Sequence, residues 1–409
     1  MIEECEVAVV GGGPAGAAVA ALLAQRGRSV TVLEARPAYR WHACGVFSGP
    51  AIRPLLRSLG IGDAELRAVA RVVPAMRLET PGGSVVRLTY GADRGGSSAL
   101  GFDRRALDEL LLERAAQRGA CVSRGAVVER VDLDASTPSL TVRAADGTHL
   151  TVRPRVVVGA DGIRSTVARA AGVARRPRIE RIGVTFHVVE APFERSDDGP
   201  DPEVDARMVV LGDAYVGLAP VPGRRVNVGI VLRGRNAAHL RAHGVAATAK
   251  DVLAGVTDGP GSAVRLADSG PLDRPAGAAP LGHRVTRRAG RGWVLIGDAA
   301  GFLDPFTGEG LHRALVSATL AARAIGRELD GVPRALEDYD RAMRGRFVAK
   351  DVVSLIVQAF VARPALLEYA ARRLAARQDV RRTLELALAD LAPATRALDP
   401  RFLAALLAP

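Results

Sequence analysis

Short apolar segments alternate with amphipathic ones along the first part of the chain. The run Glu6–Val10 (EVAVV) precedes the turn GGGPAG and an alanine-rich helical pattern that continues to Arg26, and the segment SVTVLEA has the pattern of a second buried strand. A strand, a glycine turn, a helix and a strand within about thirty residues are typical of a mononucleotide-binding βαβ unit. We therefore predict a parallel sheet at the N-terminus.

The same periodicities predict further elements up to residue 172. Two helices are expected in AIRPLLRSLGI and FDRRALDELLLERAAQRG, and two short strands joined at TPGGS lie within 72–90. A strand pair at 127–133 and 140–144 meets a turn at ADGT, and RVVVGADG predicts a buried strand that returns to the first sheet.

Longer alternating strands follow residue 182. The segments GVTFHVVE, ARMVVLG and RVNVGIVL, interrupted by the loop PFERSDDGPDPE, predict a mostly antiparallel second layer. The stretch GDAAGFLDPFTGEGLHRAL then completes the first domain, and the pattern is helical from Leu336. The predicted division is a discontinuous nucleotide-binding domain at 1–74, 98–172 and 280–335, a β-sheet domain at 75–97 and 173–279, and a helical region at 336–409.

Composition narrows the possible partners. The 409 residues carry a formal charge of +12, but the 56 basic residues include two lysines, Lys250 and Lys350, and the arginines are scattered among few aromatic residues. This pattern argues against nucleic-acid binding. The basic, amphipathic C-terminal region favours packed helices with a solvated arginine face over weak contact with a membrane surface, which stays an alternative.

The cysteines and the N-terminus indicate a cytoplasmic protein. Cys5, Cys44 and Cys121 are odd in number and far apart, as expected in a reducing compartment without disulfides or zinc. The uncharged segment Val7–Ala24 follows acidic residues and is interrupted by glycines, unlike a signal peptide. His239 and His243 have helical spacing but lack a third ligand in a known pattern, so no metal site is predicted.

The first turn and the strand after it suit a dinucleotide. In Gly11-x-Gly13-x-x-Gly16, which also contains Pro14 and Ala15, the glycines allow a tight turn, close approach of a pyrophosphate and close packing of helix on strand. Glu34 ends the second strand, twenty-three residues after Gly11, where a carboxylate can accept hydrogen bonds from ribose hydroxyls.

Two later motifs repeat an acid at a strand end. Asp161 and Gly162 lie in GADGIRSTVARAAGV, and Gly297 and Asp298 follow the apolar run at 293–296. With these three motifs in order, nearly the whole chain resembles the flavoprotein hydroxylase superfamily, which has the p-hydroxybenzoate hydroxylase-like fold. The resemblance implies an α/β protein: a Rossmann-like (GR2-type) FAD-binding domain, an inserted mostly antiparallel β-sheet substrate domain and a helical C-terminus.

The resemblance also implies residue roles. Asp298 is expected at the FAD ribityl chain or ribose, Asp161 near the pyrophosphate and Arg104 in contact with FAD, while PFTGEG presents backbone N–H groups to the flavin. The expected FAD-binding residues are Gly11, Gly13, Pro14, Ala15, Gly16, Glu34, Ala35, Arg36, Cys44, Gly45, Arg104, Asp161, Gly162, Gly297, Asp298, Pro305, Gly308, Glu309, Gly310 and Leu311.

Within that superfamily the chain looks closest to the geranylgeranyl reductase branch. GDAAGFLDPFTGEGL and CGVFSGP resemble its loop motifs, although Val46 stands where the branch has glycine. The reductase motif Tyr-x-Trp-x-Phe-Pro keeps its ends at Tyr215 and Pro220 and loses both large aromatics. Related halogenases need a lysine between the flavin and the substrate, in the N-terminal flavin domain. Neither lysine of this chain lies in that domain, so a halogenase is disfavoured.

Three functions follow from this resemblance. The first is an NAD(P)H-dependent monooxygenase that hydroxylates an aromatic, quinone or polyketide-type molecule through a flavin C4a-hydroperoxide. The alternative is an ene-reductase of a prenyl or polyketide double bond, with Cys44 or His42 as proton donor, and the third is a non-catalytic flavin protein. NAD(P)H is expected to dock transiently, and the oligomeric state is left open. The expected pocket for a hydrophobic substrate comprises Phe186, Val209, Tyr215, Leu218, Pro220 and Phe306.

Overall fold

A computed structural model describes residues 2–91, 96–134, 137–177, 179–190, 204–256 and 270–407. The loop predicted at 192–203 lies outside the described residues. The strands of the described part are β1 (Ile2–Val10), β2 (Val30–Glu34), β3 (Phe47–Ser48), β4 (Ala70–Val73), β5 (Met76–Glu79), β6 (Val85–Leu88), β7 (Ala99–Phe102), β8 (Cys121–Arg124), β9 (Val127–Asp132), β10 (Ser139–Arg143), β11 (His149–Gly159), β12 (Ala174–Arg175), β13 (Ile182–Val189), β14 (Ala206–Val210), β15 (Ala214–Val221), β16 (Arg225–Leu232), β17 (Ala276–Ala278), β18 (Arg284–Val285), β19 (Ala289–Gly290) and β20 (Trp293–Leu295).

The helices of the same residues are α1 (Pro14–Ala24), α2 (Ile52–Ser58), α3 (Asp63–Val69), α4 (Arg104–Gln117), α5 (Thr166–Ala170), α6 (Gly234–Ala254), α7 (Gly310–Leu329), α8 (Ala335–Val361), α9 (Pro364–Ala376), α10 (Gln378–Leu388) and α11 (Pro400–Leu407). Short 3₁₀ turns lie at Gly162–Arg164, Gly297–Ala300 and Ala394–Leu398.

The first sheet has the order β19-β20-β11-β1-β2-β8. Strand β10 also pairs with β11, and β9 pairs with β10. β1 lies between β11 and β2 in parallel register, with Val9 opposite Val158 and Val32. These valine-rich strands are buried because α1 and α7 cover one face and the β9–β10 hairpin the other. The carboxyl ends of β1, β2, β11 and β20 therefore meet at one edge of the sheet. The ADGT turn joins β10 to β11.

The second sheet has the order β17-β13-β16-β15-β14-β5-β6, with the β14–β5 pair parallel and the other pairs antiparallel. One face packs on α6, a helix that the strand pattern after residue 182 did not predict and that bends at Gly244, where φ is 80°. The predicted fold class is confirmed: a parallel nucleotide-binding sheet, a mostly antiparallel second sheet and a helical C-terminus. The domain boundaries themselves stay a prediction.

The C-terminal helices α8 to α11 pack against the rest of the protein. α8 buries Tyr339, whose hydroxyl donates to the Leu295 carbonyl at 2.6 Å, and also Phe347 and Lys350. Among the described residues, no single helix has the length and apolar composition to cross a membrane, although α8 and α9, which meet at 114°, pass that test as a bent pair.

Candidate functional site

The turn between β1 and α1 is tightly packed on one side and open on the other. Gly11 has φ of 102°, and a Cβ there would lie 2.5 Å from the Ala160 carbonyl oxygen, while a Cβ on Gly16 would collide with the Gly11 carbonyl. A Cβ on Gly13 would meet no atom within 4 Å. Close packing thus explains Gly11 and Gly16, and the open side at Gly13 leaves room for a ligand.

The first turn of α1 presents backbone donors to the cavity. Pro14 occupies the first helical position, and no side chain of the described residues caps the helix start. Ala15 also lines the cavity. Unpaired N–H groups and the helix dipole at this end suit a pyrophosphate.

Glu34 is held at the end of β2 by backbone donors. Its Oε2 accepts from the Gly12 N–H at 2.7 Å, and its Oε1 accepts from the Arg36 N–H at 2.9 Å. Each oxygen keeps a further lone pair for a hydroxyl group. Ala35 and Arg36 follow on the same cavity wall, so the turn and the acid form one nucleotide-binding edge.

The two later acids lie at the same edge of the sheet. Asp161 Oδ2 accepts from the Thr166 N–H at 2.6 Å, whereas its buried Oδ1 has no hydrogen-bond partner among the described residues. Gly162 and Asp298 also line the cavity. Burial raises the pKa of the Asp298 carboxyl, and the Arg104 guanidinium opposes that shift. A buried acceptor without a partner beside the nucleotide edge fits a ligand that carries hydroxyl or N–H donors.

Gly297 brings the first and last motifs into contact. Its φ is 55°, and a Cβ there would lie 2.9 Å from the Cβ of Ala15. Its N–H donates to Ser317 Oγ at 2.9 Å. Motifs almost three hundred residues apart in sequence therefore share one surface.

Arg104, which the resemblance placed in contact with FAD, is bound to other residues of the protein and borders the cavity. Its Nε and Nη2 donate to the two carboxylate oxygens of Asp108 at 2.9 Å each, and its Nη1 donates to the Gly45 carbonyl at 2.8 Å. Burial alone lowers the pKa of Arg104, but Asp108 outweighs it and raises the value. Arg104 lines the cavity, where it holds the Gly45 carbonyl and places a positive charge.

The loop before α7 is shaped by Asp304. Asp304 Oδ1 accepts from the Tyr215 hydroxyl and Gln358 Nε2, both at 2.7 Å, and from the Phe306 N–H at 2.9 Å. Arg181 Nη1 lies 2.9 Å from Asp304 Oδ2. Asp304 was not among the predicted site residues. Its carboxylate connects the loop to the second sheet through Tyr215 and to α8 through Gln358.

Most of the other predicted residues of the loop before α7 face the cavity, and Glu309 does not. Pro305, Gly308, Gly310 and Leu311 line the cavity. The φ of Gly308 is 67°, and a Cβ there would lie 2.6 Å from the Phe47 ring. Glu309 faces away from the cavity, with Oε1 3.5 Å from Lys350 Nζ, so its side chain does not lie where a cofactor-binding residue was expected.

The second sheet forms the opposite wall. Of the predicted pocket residues, Tyr215, Leu218 and Phe306 border the cavity, and the Tyr215 and Phe306 rings meet edge to face at 5.1 Å. Phe186 and Val209 instead pack beneath α6, and Pro220 lies against β7. Side chains alternate between the faces of a strand, and these three belong to the face away from the cavity. Leu218 borders the cavity although its side chain packs in the same cluster as Phe186 and Val209.

The residues at the centre of this wall are not among the six that were named for the pocket. Gly217, Gly229, Thr185, Asn227 and Met208 all border the cavity. Asn227 Nδ2 donates to Thr185 Oγ1 at 2.9 Å. Thr185 and Asn227 are polar residues inside otherwise apolar strands, and this pattern could have identified the face that borders the cavity.

Cys44 and His42 lie on the wall between the two sheets. Burial raises the pKa of the Cys44 thiol to about 11, and the Arg104 guanidinium opposes that shift. Burial lowers the pKa of His42, whose Nδ1 lies 3.0 Å from Arg36 Nη1. At neutral pH the thiol is therefore protonated and the imidazole neutral.

One continuous cavity of about 720 Å³ joins the nucleotide edge, Cys44 and the second sheet. Its nucleotide end supplies backbone N–H groups for phosphates and carboxylates for sugar hydroxyls. Its other end is lined mainly by apolar side chains and glycines. This donor set fits FAD.

Comparisons with known proteins agree with FAD as the cofactor. A family model described as "FAD binding domain" matches residues 4–354. Digeranylgeranylglycerophospholipid reductase 1 of Methanopyrus kandleri is 31% identical over 78% of this chain and 79% of its own length. The menaquinone reductase of Mycobacterium tuberculosis is 29% identical over 87% and 84%.

A solved structure shares the fold. The geranylgeranyl bacteriochlorophyll reductase-like protein of Thermoplasma acidophilum superimposes with a TM-score of 0.77 at 21% identity, covering 92% of this chain and 93% of that one. The chain belongs to the FAD binding domain family and is an FAD-dependent oxidoreductase related to the geranylgeranyl reductases.

Proposed function

We propose that the protein reduces a carbon–carbon double bond in a hydrophobic molecule of isoprenoid or polyketide type, with NAD(P)H as the source of electrons. The lipid and menaquinone reductases among its relatives support reduction over the monooxygenation that the sequence analysis placed first. The observation that carries the proposal is the protonated Cys44 thiol on the wall of a largely apolar cavity.

Reduction of a double bond requires a hydride at one carbon and a proton at the other. Bound FAD, once reduced, supplies the hydride. Cys44 supplies the proton: its S–H bond breaks as the new C–H bond forms, leaving a thiolate that solvent later protonates. The Arg104 guanidinium lowers the energy of that thiolate, because it acts on Cys44 as a positive charge.

His42 is a weaker candidate for the donor. Burial lowers its pKa, so its imidazolium form is scarce at neutral pH. Its Nδ1 is also within hydrogen-bond distance of Arg36 Nη1 and of the Arg40 carbonyl. Cys44 is in its protonated form at neutral pH and is therefore the donor that we propose.

The first test is anaerobic turnover of the FAD-loaded protein with NADPH, using geranylgeranyl diphosphate and a menaquinone with a short prenyl chain as substrates. We expect a product that keeps two added hydrogen atoms by mass spectrometry after any quinol has been reoxidised in air. Cys44→Ala is expected to slow its formation about 100-fold, the usual contribution of a general acid, without loss of FAD. Cys121→Ala removes an exposed thiol on β8 and is the matched control.

Two results would contradict the proposal. A product that forms only with oxygen and gains an oxygen atom would show hydroxylation instead of reduction. An unchanged rate in Cys44→Ala would leave reduction in place but remove Cys44 as the proton donor.

A further inference from the structure

The cavity face of the second sheet lacks side chains at its centre. Gly217 on β15 and Gly229 on β16 are directly paired, and both border the cavity. The same row continues to Thr185 on β13 and to Met208 on β14. Two paired glycines in adjacent central strands leave a flat patch of bare backbone.

The protein's own packing does not require these glycines. Neither has φ in the left-handed region. A Cβ on Gly229 would meet only the Gly217 carbonyl oxygen, at 3.9 Å, and a Cβ on Gly217 would meet the flexible end of Met208 at 3.4 Å. Gly101 is different, because a Cβ there would collide with the Pro220 carbonyl. Glycine weakens a strand interior, so its presence at 217 and 229 indicates close approach of a ligand.

The surrounding residues define the shape of this patch, which we call the glycine floor (Gly217 and Gly229). Tyr215, Gly217 and Ala219 alternate onto the cavity face of β15, so both aromatics lost from the reductase motif would have pointed into the cavity. The edge-to-face pair of Tyr215 and Phe306 stands at one side. The space is therefore broad and flat, and it suits a ring system better than a slender chain.

One edge of the glycine floor is polar. Thr185 Oγ1 accepts a hydrogen bond from Asn227, so its own hydroxyl hydrogen can be donated elsewhere. Both residues border the cavity. A ligand that lies on the floor and carries a carbonyl oxygen at its edge would accept from Thr185.

The geometry points to a substrate with a planar fused-ring system bearing a carbonyl group, which lies on the glycine floor with its carbonyl oxygen at Thr185. This inference rests on the proposed function, since the double bond that is reduced belongs to the same molecule. It names Gly217, Gly229 and Thr185 as specificity-determining residues.

The test measures binding to the oxidised FAD-loaded protein and needs no turnover. The probes are 2-methyl-1,4-naphthoquinone, the carbonyl-free 2-methylnaphthalene and the linear alcohol geranylgeraniol, with Kd determined by calorimetry. Gly217→Leu fills the floor and is expected to weaken both ring probes at least about tenfold and geranylgeraniol less than about threefold. Gly212→Leu adds the same side chain at an exposed position with no neighbour within 4 Å and is the matched control.

The polar edge has its own variant. Thr185→Val keeps the shape of the side chain and is expected to weaken the naphthoquinone about fivefold while leaving methylnaphthalene unchanged. Equal effects on those two probes would remove the hydrogen bond from the inference. FAD content and thermal midpoint show whether each variant is folded.

The inference is overturned if Gly217→Leu leaves the ring probes unchanged, if it weakens geranylgeraniol by the same factor, or if the wild-type protein binds only geranylgeraniol. These outcomes are distinct from failure of the proposed function, which appears as absent anaerobic reduction even when the ring probes bind as expected.

Discussion

Replacing Lys350 with methionine tests a buried charged cluster behind the loop that lines the flavin site. The Lys350 ammonium is 1% exposed and donates to the Ala387 and Leu388 carbonyls, both at 2.7 Å, and to Asp390 Oδ2 at 3.1 Å. Glu309 Oε1 lies 3.5 Å away. The cation therefore joins α8, the C-terminal end of α10 and the start of α7.

The size of the effect follows from these contacts. Removing one partner of a buried ion pair destabilises a protein by about 3–5 kcal/mol, because the remaining charge is left without compensation. Arg346 and His312 still contact Asp390, at 2.9 and 3.1 Å, which favours the lower part of that range. The two carbonyls add roughly 1 kcal/mol by losing their donor. We expect Lys350→Met to lower the free energy of unfolding by about 4 kcal/mol.

The assay is urea unfolding followed by circular dichroism at a fixed excess of FAD, so that ligand binding contributes equally to each variant. Lys250→Met replaces the exposed lysine of α6 and is the matched control, expected to change stability by less than about 0.5 kcal/mol. A loss below about 1 kcal/mol for Lys350→Met, or an equal loss in both variants, would refute the reasoning.

The same cluster predicts a pH dependence. Burial alone would raise the pKa of Asp390, but His312 and Lys350 outweigh it and hold the value well below its usual range. A carboxyl whose pKa is lower in the folded state contributes stability above its unfolded pKa and loses it as the pH falls toward the folded value. The difference between wild type and Lys350→Met should therefore be smaller at about pH 3 than at about pH 7.

Two further predictions concern the cofactor and the proton donor. Glu34→Gln replaces an oxygen that accepts from the Gly12 or Arg36 N–H and removes a negative charge from the nucleotide edge. FAD should therefore bind roughly 10- to 100-fold more weakly in a flavin-fluorescence titration, while the exposed Glu113→Gln on α4 should bind normally. Equal affinities in the two variants would contradict a role of Glu34 in FAD binding. Because the pKa of Cys44 is about 11, the anaerobic single-turnover rate should stay level through pH 9, the ordinary range for a thiol, and fall only as the pH approaches 11, and a decline centred near 9 would contradict a buried donor.

The nucleotide edge could be predicted from sequence because its determinants are local. Gly11, Gly16 and Glu34 have roles set by one turn and the strand that follows, and the structure places them as those spacings require. The motifs at Asp161 and Gly297 carry the same strand-end geometry. Their meeting at one edge follows from the parallel order of the sheet.

The cavity wall that the second sheet forms could not be predicted in the same way. Alternation in β13 separates Phe186 from Thr185 but does not tell which of them faces the cavity, since that depends on where α6 and the first domain pack. Helix α6 itself has a weak apolar pattern and a bend at Gly244, so its segment resembled a continuation of the strand region. The bidentate pair of Arg104 and Asp108 has i,i+4 spacing, but a spacing alone does not tell that two side chains of a helix are buried together.

Asp304 fixes the loop before α7 through contacts that do not involve the glycine floor. Tyr215 and Gln358 donate to its carboxylate, and the other residues on the cavity face of the second sheet take no part in these two contacts. Substitutions at positions 217, 219 and 229 would therefore change the shape of the cavity without removing the contacts of Asp304.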